Sequence, residues 1–255
     1  MQVYPFSQYE IDIKKFKKGK RINKGGFGVV YSVQDKETGQ LYAAKVIDCG
    51  DDEEQCRKMV SREIRILMYV NHPTIIKFIG YSPSDFLNEN NVTIFLELAQ
   101  NGSLSDLFNK IQNNKKPAKY TNTSRQIILV GVARCMEYLH DRNIIHRDLK
   151  PGNILLDENF YPHITDFGMS KIFEFGHSMS QSQFGGTLPY MAPEIIGGPT
   201  FDRKADVYSF SIVMYKILTE TAPYPELEKG LISDLEFRLK VVGENYRPTF
   251  SVPIK

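Results

Sequence analysis

Five polar or charged side chains, His146, Arg147, Asp148, Lys150 and Asn153, interrupt IIHRDLKPGNILL, a run that otherwise has the character of a buried β segment. Ions placed in a core cost on the order of several kcal/mol unless they meet partners. Shortly downstream, HITDFGMS adds another carboxylate, Asp166. Asn153 and Asp166 then form a pair of oxygen acceptors flanking a short hairpin. Oxygen ligands with few protein donors suit Mg²⁺, which keeps its other positions for phosphate and water. Asp148 is a separate carboxylate able to receive a proton from a hydroxyl, and Lys150 can neutralise a transferring phosphoryl group. These charges make sense together if the missing counter-charges are a metal ion and a nucleotide polyphosphate.

Two more charges look misplaced. In LYAAKVI, the residues Ala43, Lys45 and Ile47 fall on one strand face, and a lysine on an apolar face needs an anion. In CRKMVSREIRILMYV, the residues Cys56, Val60, Glu63, Leu67 and Val70 form a helical stripe with Glu63 where an aliphatic residue would be expected. Opposite charges on a strand and on the helix after it suggest a pair, although both could instead extend to solvent. Upstream, NKGGFGVVY places Gly25, Gly26 and Gly28 between two strand-like runs. Glycines there let backbone amides approach a phosphate, while on their own they also suit a plain hairpin. Strand, not helix, follows them, so this is not a dinucleotide-binding fingerprint.

The elements that must position these residues are legible in outline. FGVVYSVQD and LYAAKVID alternate around the turn ETGQ, which predicts a hairpin. A helix is expected over about 53–70, and VTIFLEL reads as a buried strand. After Gly102 the character becomes helical, in SLSDLFNKI, TSRQIILVGVARCMEYLHD and VYSFSIVMYKILT, with short strands between. The polar stretch 98–103 is the expected boundary, and 109–119 reads as a polar loop. The chain has 255 residues and a formal net charge of +2, so no global field points to nucleic acid or a membrane surface. VYSFSIVMYKIL is too short to span a bilayer and reads as a core helix. The basic run 14–21 fits a solvated strand edge better than a nuclear-import or anionic-surface patch. Cys49, Cys56 and Cys135 are scattered, odd in number and without metal-ligand spacing, which favours a reducing, cytoplasmic location.

Taken in order, NKGGFG, AAK at 43–45, Glu63, HRDLKPGN at 146–153, DFG at 166–168, APE at 192–194 and Asp206 in ADVYSF resemble the eukaryotic protein kinase family. The likeness runs from about Phe16 to Phe250. It implies an α+β, two-lobed fold with a small antiparallel sheet lobe carrying one helix and a larger, mainly helical lobe. Residues 1–15 would be an N-terminal extension, 16–100 the small lobe and 101–255 the large one. It implies ATP and Mg²⁺ as cofactors and a protein substrate with a Ser or Thr acceptor, with no nucleic-acid partner and no membrane segment.

Residue by residue, the resemblance implies that Ile22, Asn23, Gly25, Gly26 and Gly28 cover the nucleotide. Val30 and Ala44 would pack on the adenine, with Leu155 beneath, and Glu97 to Ala99 would form the hinge that bonds it, behind Leu96. Lys45 would hold the phosphates and pair with Glu63. Asp148 would accept the substrate proton beside Lys150, and Asn153 and Asp166 would hold Mg²⁺. Leu67, Phe78, His146 and Phe167 match an apolar stack anchored by Asp206. Thr187 would bridge Asp148 and Lys150. DLKPGN and GGTLPYMAPE resemble serine/threonine kinases, and ARCMEYLHDRNIIHRDLKPGN resembles their tyrosine-kinase-like branch. Phosphorylation within 166–194, by this chain or an upstream enzyme, with Ser178, Ser180 and Ser182 as acceptors, could order that loop through Arg147.

The sequence departs from the family in three places. Asn23 replaces the first loop glycine, Ser211 stands where glycine is frequent, and no arginine follows that matches the usual partner of Glu194. The chain is therefore expected to lack the last helices of the large lobe and to expose apolar surface near 206–219. Two other readings stay open: a kinase-like binding module with weak or no catalysis, and a small-molecule phosphotransferase. GTLPYMAPE, which shapes a peptide-binding loop in protein kinases, argues against the second.

Overall fold

The structure, a computed structural model, describes residues 7–25, 28–49, 53–172, 187–198 and 202–250. The chain divides into two compact units, Met1–Gln100 and Asn101–Lys255.

The first unit holds β1 (Phe16–Gly25), β2 (Gly28–Asp35), β3 (Leu41–Val46), α1 (Glu53–Tyr69), β4 (Phe78–Ser82) and β5 (Thr93–Glu97). Its strands form one antiparallel sheet in the order β1-β2-β3-β5-β4. The hairpin expected at ETGQ is present. Asp35 Oδ1 accepts from the backbone N–H of Glu37 and Thr38, both at 2.8 Å, and Gly39 supplies the φ of 73° that closes the turn. The basic run lies on β1, an edge strand whose lysines are exposed. At the start of β2, Gly28 has φ 140°, and a Cβ there would meet the Val46 carbonyl oxygen at 2.1 Å. Close packing of β2 on β3 therefore requires glycine at this position, whatever else the turn does.

Register sorts the sheet into two faces, because directly paired residues point the same way. Val30, Lys45 and Ile94 pair in one row, and Ser32, Ala43 and Leu96 in another on the same face. Tyr31, Ala44 and Phe95 pair on the opposite face, where Ala44 is fully buried with Phe16, Val33 and Phe95. The expectation for Ala44 is corrected accordingly. It cannot share an adenine-facing surface with Val30 and Lys45, because a period of two turns it the other way; Ala43 is the residue on their face. Residues 9–11 lie against β4, where Ile11 N–H donates to the Tyr81 carbonyl (2.8 Å) and a Cβ on Gly80 would strike the Ile11 side chain.

The cysteine spacing gives no sign of a pairing, yet the structure has one. Cys49 and Cys56 are joined in a disulfide with Cα atoms 5.3 Å apart, while Cys135 is buried and outside that bond. An odd count and seven-residue spacing do not reveal this, because the pairing arises where a strand exit meets the first turns of a helix.

The second unit holds α2 (Leu104–Gln112), α3 (Asn122–Asp141), β6 (Ile144–Ile145), β7 (Ile154–Leu156), β8 (Pro162–Ile164), β9 (Lys171–Ile172), α4 (Pro193–Gly197), α5 (Lys204–Thr219), α6 (Pro225–Glu228) and α7 (Asp234–Gly243). The α+β class read from the sequence is what the chain adopts. Ser103 caps α2 and Thr121 caps α3, each in a reciprocal capping box. α3 buries Ile128, Val132, Cys135, Met136 and Leu139, and α5 buries Ile212, Val213 and Ile217. Two small antiparallel ladders, β6 with β9 and β7 with β8, carry the loops between these helices. Val207 and Met214 on α5 are exposed, as are Leu235, Leu239 and Val242 on α7. Glu194 is exposed and has no ion pair among the described residues. Among the described residues, no helix is long and apolar enough to cross a membrane.

Candidate active site

In the first unit the two misplaced charges meet. Lys45 Nζ donates to Glu63 Oε1 and Oε2 at 2.8 and 2.9 Å. Glu63 is only 3 % exposed and sits in the α1 stripe with the buried Val60, Leu67 and Val70. A salt bridge this dry is tolerated only because both carboxylate oxygens are satisfied. Val30 and Ile94 flank Lys45 on the same sheet face. Gly25 pairs with Gly28 across the β1–β2 turn, Ile22 is exposed, and Asn23 Oδ1 accepts from Lys24 N–H (2.8 Å). Gly26 lies outside the described residues. Leu96 is buried, Glu97 Oε1 accepts from Lys77 N–H (3.0 Å), and Ala99 follows β5 half-buried. Phe78 starts β4.

In the second unit the run that interrupts the β pattern forms a tight polar loop. Arg147 and Asp166 both adopt left-handed backbone, with φ of 71° and 68°. Each such residue costs about 1–2 kcal/mol without compensation. Asp206, at 0 % exposure on α5, supplies that compensation for Arg147. Its Oδ1 accepts from Arg147 N–H (2.9 Å), and its Oδ2 accepts from His146 N–H (2.9 Å) and His140 Nε2 (2.8 Å). His146 Nε2 donates to the Thr165 carbonyl (3.1 Å) and its Nδ1 accepts from Asp148 N–H (3.3 Å), so one neutral tautomer serves both. The His146 ring lies 5.2 Å from that of the buried Phe167.

The loop so fixed presents Asp148, 8 % exposed, with its two oxygens in different settings. Oδ2 receives Lys150 Nζ at 2.7 Å and Asn153 Nδ2 at 3.0 Å. Among the described residues, Oδ1 receives only a long contact from Thr187 Oγ1, 3.4 Å, beyond the usual range for hydroxyl donors. Thr187 is held chiefly by Lys150, whose Nζ donates to its Oγ1 at 2.8 Å. Oδ2 is thus committed to the protein and Oδ1 is the oxygen left to accept a proton.

The Asn153 amide orientation follows from two donations by Nδ2, to the Asp148 carbonyl (2.8 Å) and to Asp148 Oδ2, which leave Oδ1 as an acceptor. The β7–β8 hairpin returns the chain so that Thr165 N–H donates to the Asn153 carbonyl (3.0 Å), with Asp166 next in sequence. One amide oxygen and one carboxylate at the base of a hairpin are a hard, sparse donor set. It fits Mg²⁺, which takes few protein ligands and keeps the rest for water and phosphate. Leu155 is half-buried on β7 between the fully buried Ile154 and Leu156. Ser178, Ser180 and Ser182 lie outside the described residues.

Sequence reasoning did not single out His140 or Ser209. His140 joins the end of α3 to Asp206, and Ser209 Oγ donates to the Tyr190 carbonyl (2.7 Å), tying α5 to the segment after Thr187. A polar residue at a helix end gives no periodic signal. A serine amid the apolar α5 run gives a weak one.

Comparison with known proteins agrees with this geometry. The chain is 38 % identical over 232 residues to mitogen-activated protein kinase kinase 1 of Arabidopsis thaliana, covering 90 % of this chain and 62 % of the relative. It is 33 % identical over 222 residues to an Aurora kinase of Yarrowia lipolytica (87 % and 56 %). It is 32 % identical over 241 residues to mitogen-activated protein kinase kinase SIPKK of Nicotiana tabacum (93 % and 64 %). The chain thus spans less than two thirds of the length of each. The protein kinase domain model matches residues 16–249, and with the ordered site above this shows that the chain belongs to the protein kinase domain family.

Proposed function

We propose that this chain is a protein kinase that uses ATP and Mg²⁺ to phosphorylate serine and threonine hydroxyls of protein substrates. The observation that carries the reading is the asymmetric Asp148 carboxylate, with Oδ2 held by Lys150 and Asn153 and Oδ1 left to accept. In this reading residues 16–255 are the kinase domain and 1–15 precede it. The phrases around HRDLKPGN support the tyrosine-kinase-like branch, and the site chemistry suits the nucleotide-rich cytoplasm.

Each side chain then has a defined task. Lys45, kept extended by Glu63, binds the α- and β-phosphates, and the glycine turn at 25–28 offers backbone N–H groups to them. Val30 and Ala43 present an apolar face to the adenine, and the backbone of Glu97 and Ala99 bonds its edge. Asp148 Oδ1 orients the acceptor hydroxyl and takes its proton, and Lys150 offsets charge growing on the transferring group. Asn153 and Asp166 would hold Mg²⁺, which when bound neutralises phosphate charge. Thr187 sets the position of Lys150 beside the acceptor.

The test is phosphate transfer from ATP to a protein substrate by the purified chain, followed by identification of the phosphorylated residue. Phosphoserine or phosphothreonine is expected with the parent, and turnover lower by orders of magnitude is expected with Asp148→Asn. Equal rates for the two would overturn the assignment. Phosphate on a free metabolite alone would replace the protein substrate by a small molecule.

A further inference from the structure

The Cys49–Cys56 bond has a place in the fold that the proposed chemistry does not use. Cys49 stands three residues past the end of β3 and four past Lys45, and Cys56 lies in the first turns of α1, seven residues before Glu63. Seven residues are close to two helical turns, so Cys56 and Glu63 share one face of α1. The same strand and helix are therefore joined twice on one face, covalently at 49–56 and ionically at 45–63. The first buried apolar side chain of α1 among the described residues is Val60. Before it come Glu54 and Lys58, an exposed pair that contributes little. Before Val60 no described apolar side chain of α1 is fully buried, and the sulfur bridge ties the helix start to the strand exit.

We propose that Cys49 and Cys56 form a redox-modification site that sets how firmly α1 holds Glu63 on Lys45. Both cysteines are half-buried rather than enclosed, so small thiol reagents can reach them. The reductant is a dithiol. One of its thiolates attacks a bridge sulfur to give a mixed disulfide and a free cysteine thiolate, and its second thiol displaces the other cysteine. Two electrons and two protons pass to Cys49 and Cys56, and the dithiol leaves as a cyclic disulfide. Closure uses a peroxide: one cysteine thiolate is oxidised to a sulfenic acid with release of hydroxide, which takes a proton from solvent to give water, and the second thiol displaces a further water to form the bridge. Open, the first two turns of α1 fray and Glu63 spends less time on Lys45. Closed, the ion pair is held and turnover is high. The link to turnover rests on the kinase reading; the link to α1 does not.

The experiment compares the chain treated with hydrogen peroxide with the chain treated with dithiothreitol, alongside Cys49→Ser, Cys56→Ser and Cys135→Ser. Alkylation after denaturation counts thiols, hydrogen exchange follows the α1 amides 57–66, and phosphate transfer is read in parallel. The expected result is one alkylatable thiol when oxidised and three when reduced, matching the bridged pair and Cys135 outside it. Exchange in α1 should be about tenfold faster on reduction, with α5 unchanged and turnover lower. In exchange and turnover, Cys49→Ser and Cys56→Ser should behave as reduced under both treatments, and Cys135→Ser as the parent. Three thiols under both treatments, or equal α1 exchange, or equal turnover in an active enzyme, would overturn the inference. Redox-dependent exchange without any phosphate transfer would sink the kinase reading and leave the tether standing.

Discussion

Asp206→Asn replaces one buried carboxylate oxygen by an NH₂ group without changing side-chain volume. Asn keeps one acceptor, which can still serve Arg147 N–H, now at 2.9 Å from Oδ1. The new NH₂ then faces His146 N–H, which bonds Oδ2 at 2.9 Å in the parent. A buried donor facing a donor costs about 1–3 kcal/mol. The bond that survives loses its charge assistance, about 1 kcal/mol more. His140 can turn its lone pair toward the new NH₂ and adds little. The sum is about 3 kcal/mol, out of roughly 5–15 kcal/mol for a folded protein. For a chain of this size that lowers the thermal midpoint by about 6–12 °C. The chain has no Trp, so thermal unfolding followed by far-UV circular dichroism is the suitable assay. Glu194→Gln, on an exposed carboxylate without an ion pair among the described residues, is the control and should shift stability by about 0.5 kcal/mol or less. If Asp206→Asn moved the midpoint no more than the control, the buried Asp206 carboxylate would not be what holds the loop through His146 and Arg147.

Other changes have equally definite outcomes. Lys45→Met should abolish phosphate transfer and also destabilise the first unit by about 3 kcal/mol, because it strands the buried Glu63 carboxylate; adding Glu63→Leu should recover most of the stability and none of the activity. Gly28→Ala should cost about 2–3 kcal/mol in urea unfolding, since the new Cβ meets the Val46 carbonyl oxygen at 2.1 Å and φ is 140°. Burial pushes the Tyr120 phenol up to about 12. Its folded value lies above the unfolded one, so its contribution is whole below about pH 10 and is lost as pH rises through about 12. Stability measured across that window should fall by about 2–3 kcal/mol less in Tyr120→Phe than in the parent.

Where the sequence was legible, single-element patterns did the work. The α1 stripe with Glu63 in it, the alternation around ETGQ and the hairpin between Asn153 and Asp166 all rest on spacing within one or two neighbouring elements. Strand β4 escaped notice because FIGYS is short and carries Gly80, whose absent side chain makes room for Ile11. Ala44 faces away from Lys45, as the period of two in LYAAKVI requires, whereas the family likeness alone places it on the adenine. The Cys49–Cys56 bond and the His140–Asp206 contact join residues whose proximity is decided by how elements dock, and neither leaves a periodic trace. The different surroundings of the two Asp148 oxygens belong to the same class, since they depend on the angle at which Lys150 and Asn153 return to one carboxylate.

The central claim is the proposed function, in which Lys45 binds the phosphates of ATP and Asp166 holds Mg²⁺. The most direct measurement is the thermal midpoint of the parent, Lys45→Met and Asp166→Asn with and without MgATP. Nucleotide at about a hundred times its dissociation constant should stabilise the parent by about 2.7 kcal/mol, a shift of several degrees, and each variant much less. A parent midpoint that does not move, or variants that shift as much as the parent, would contradict the account.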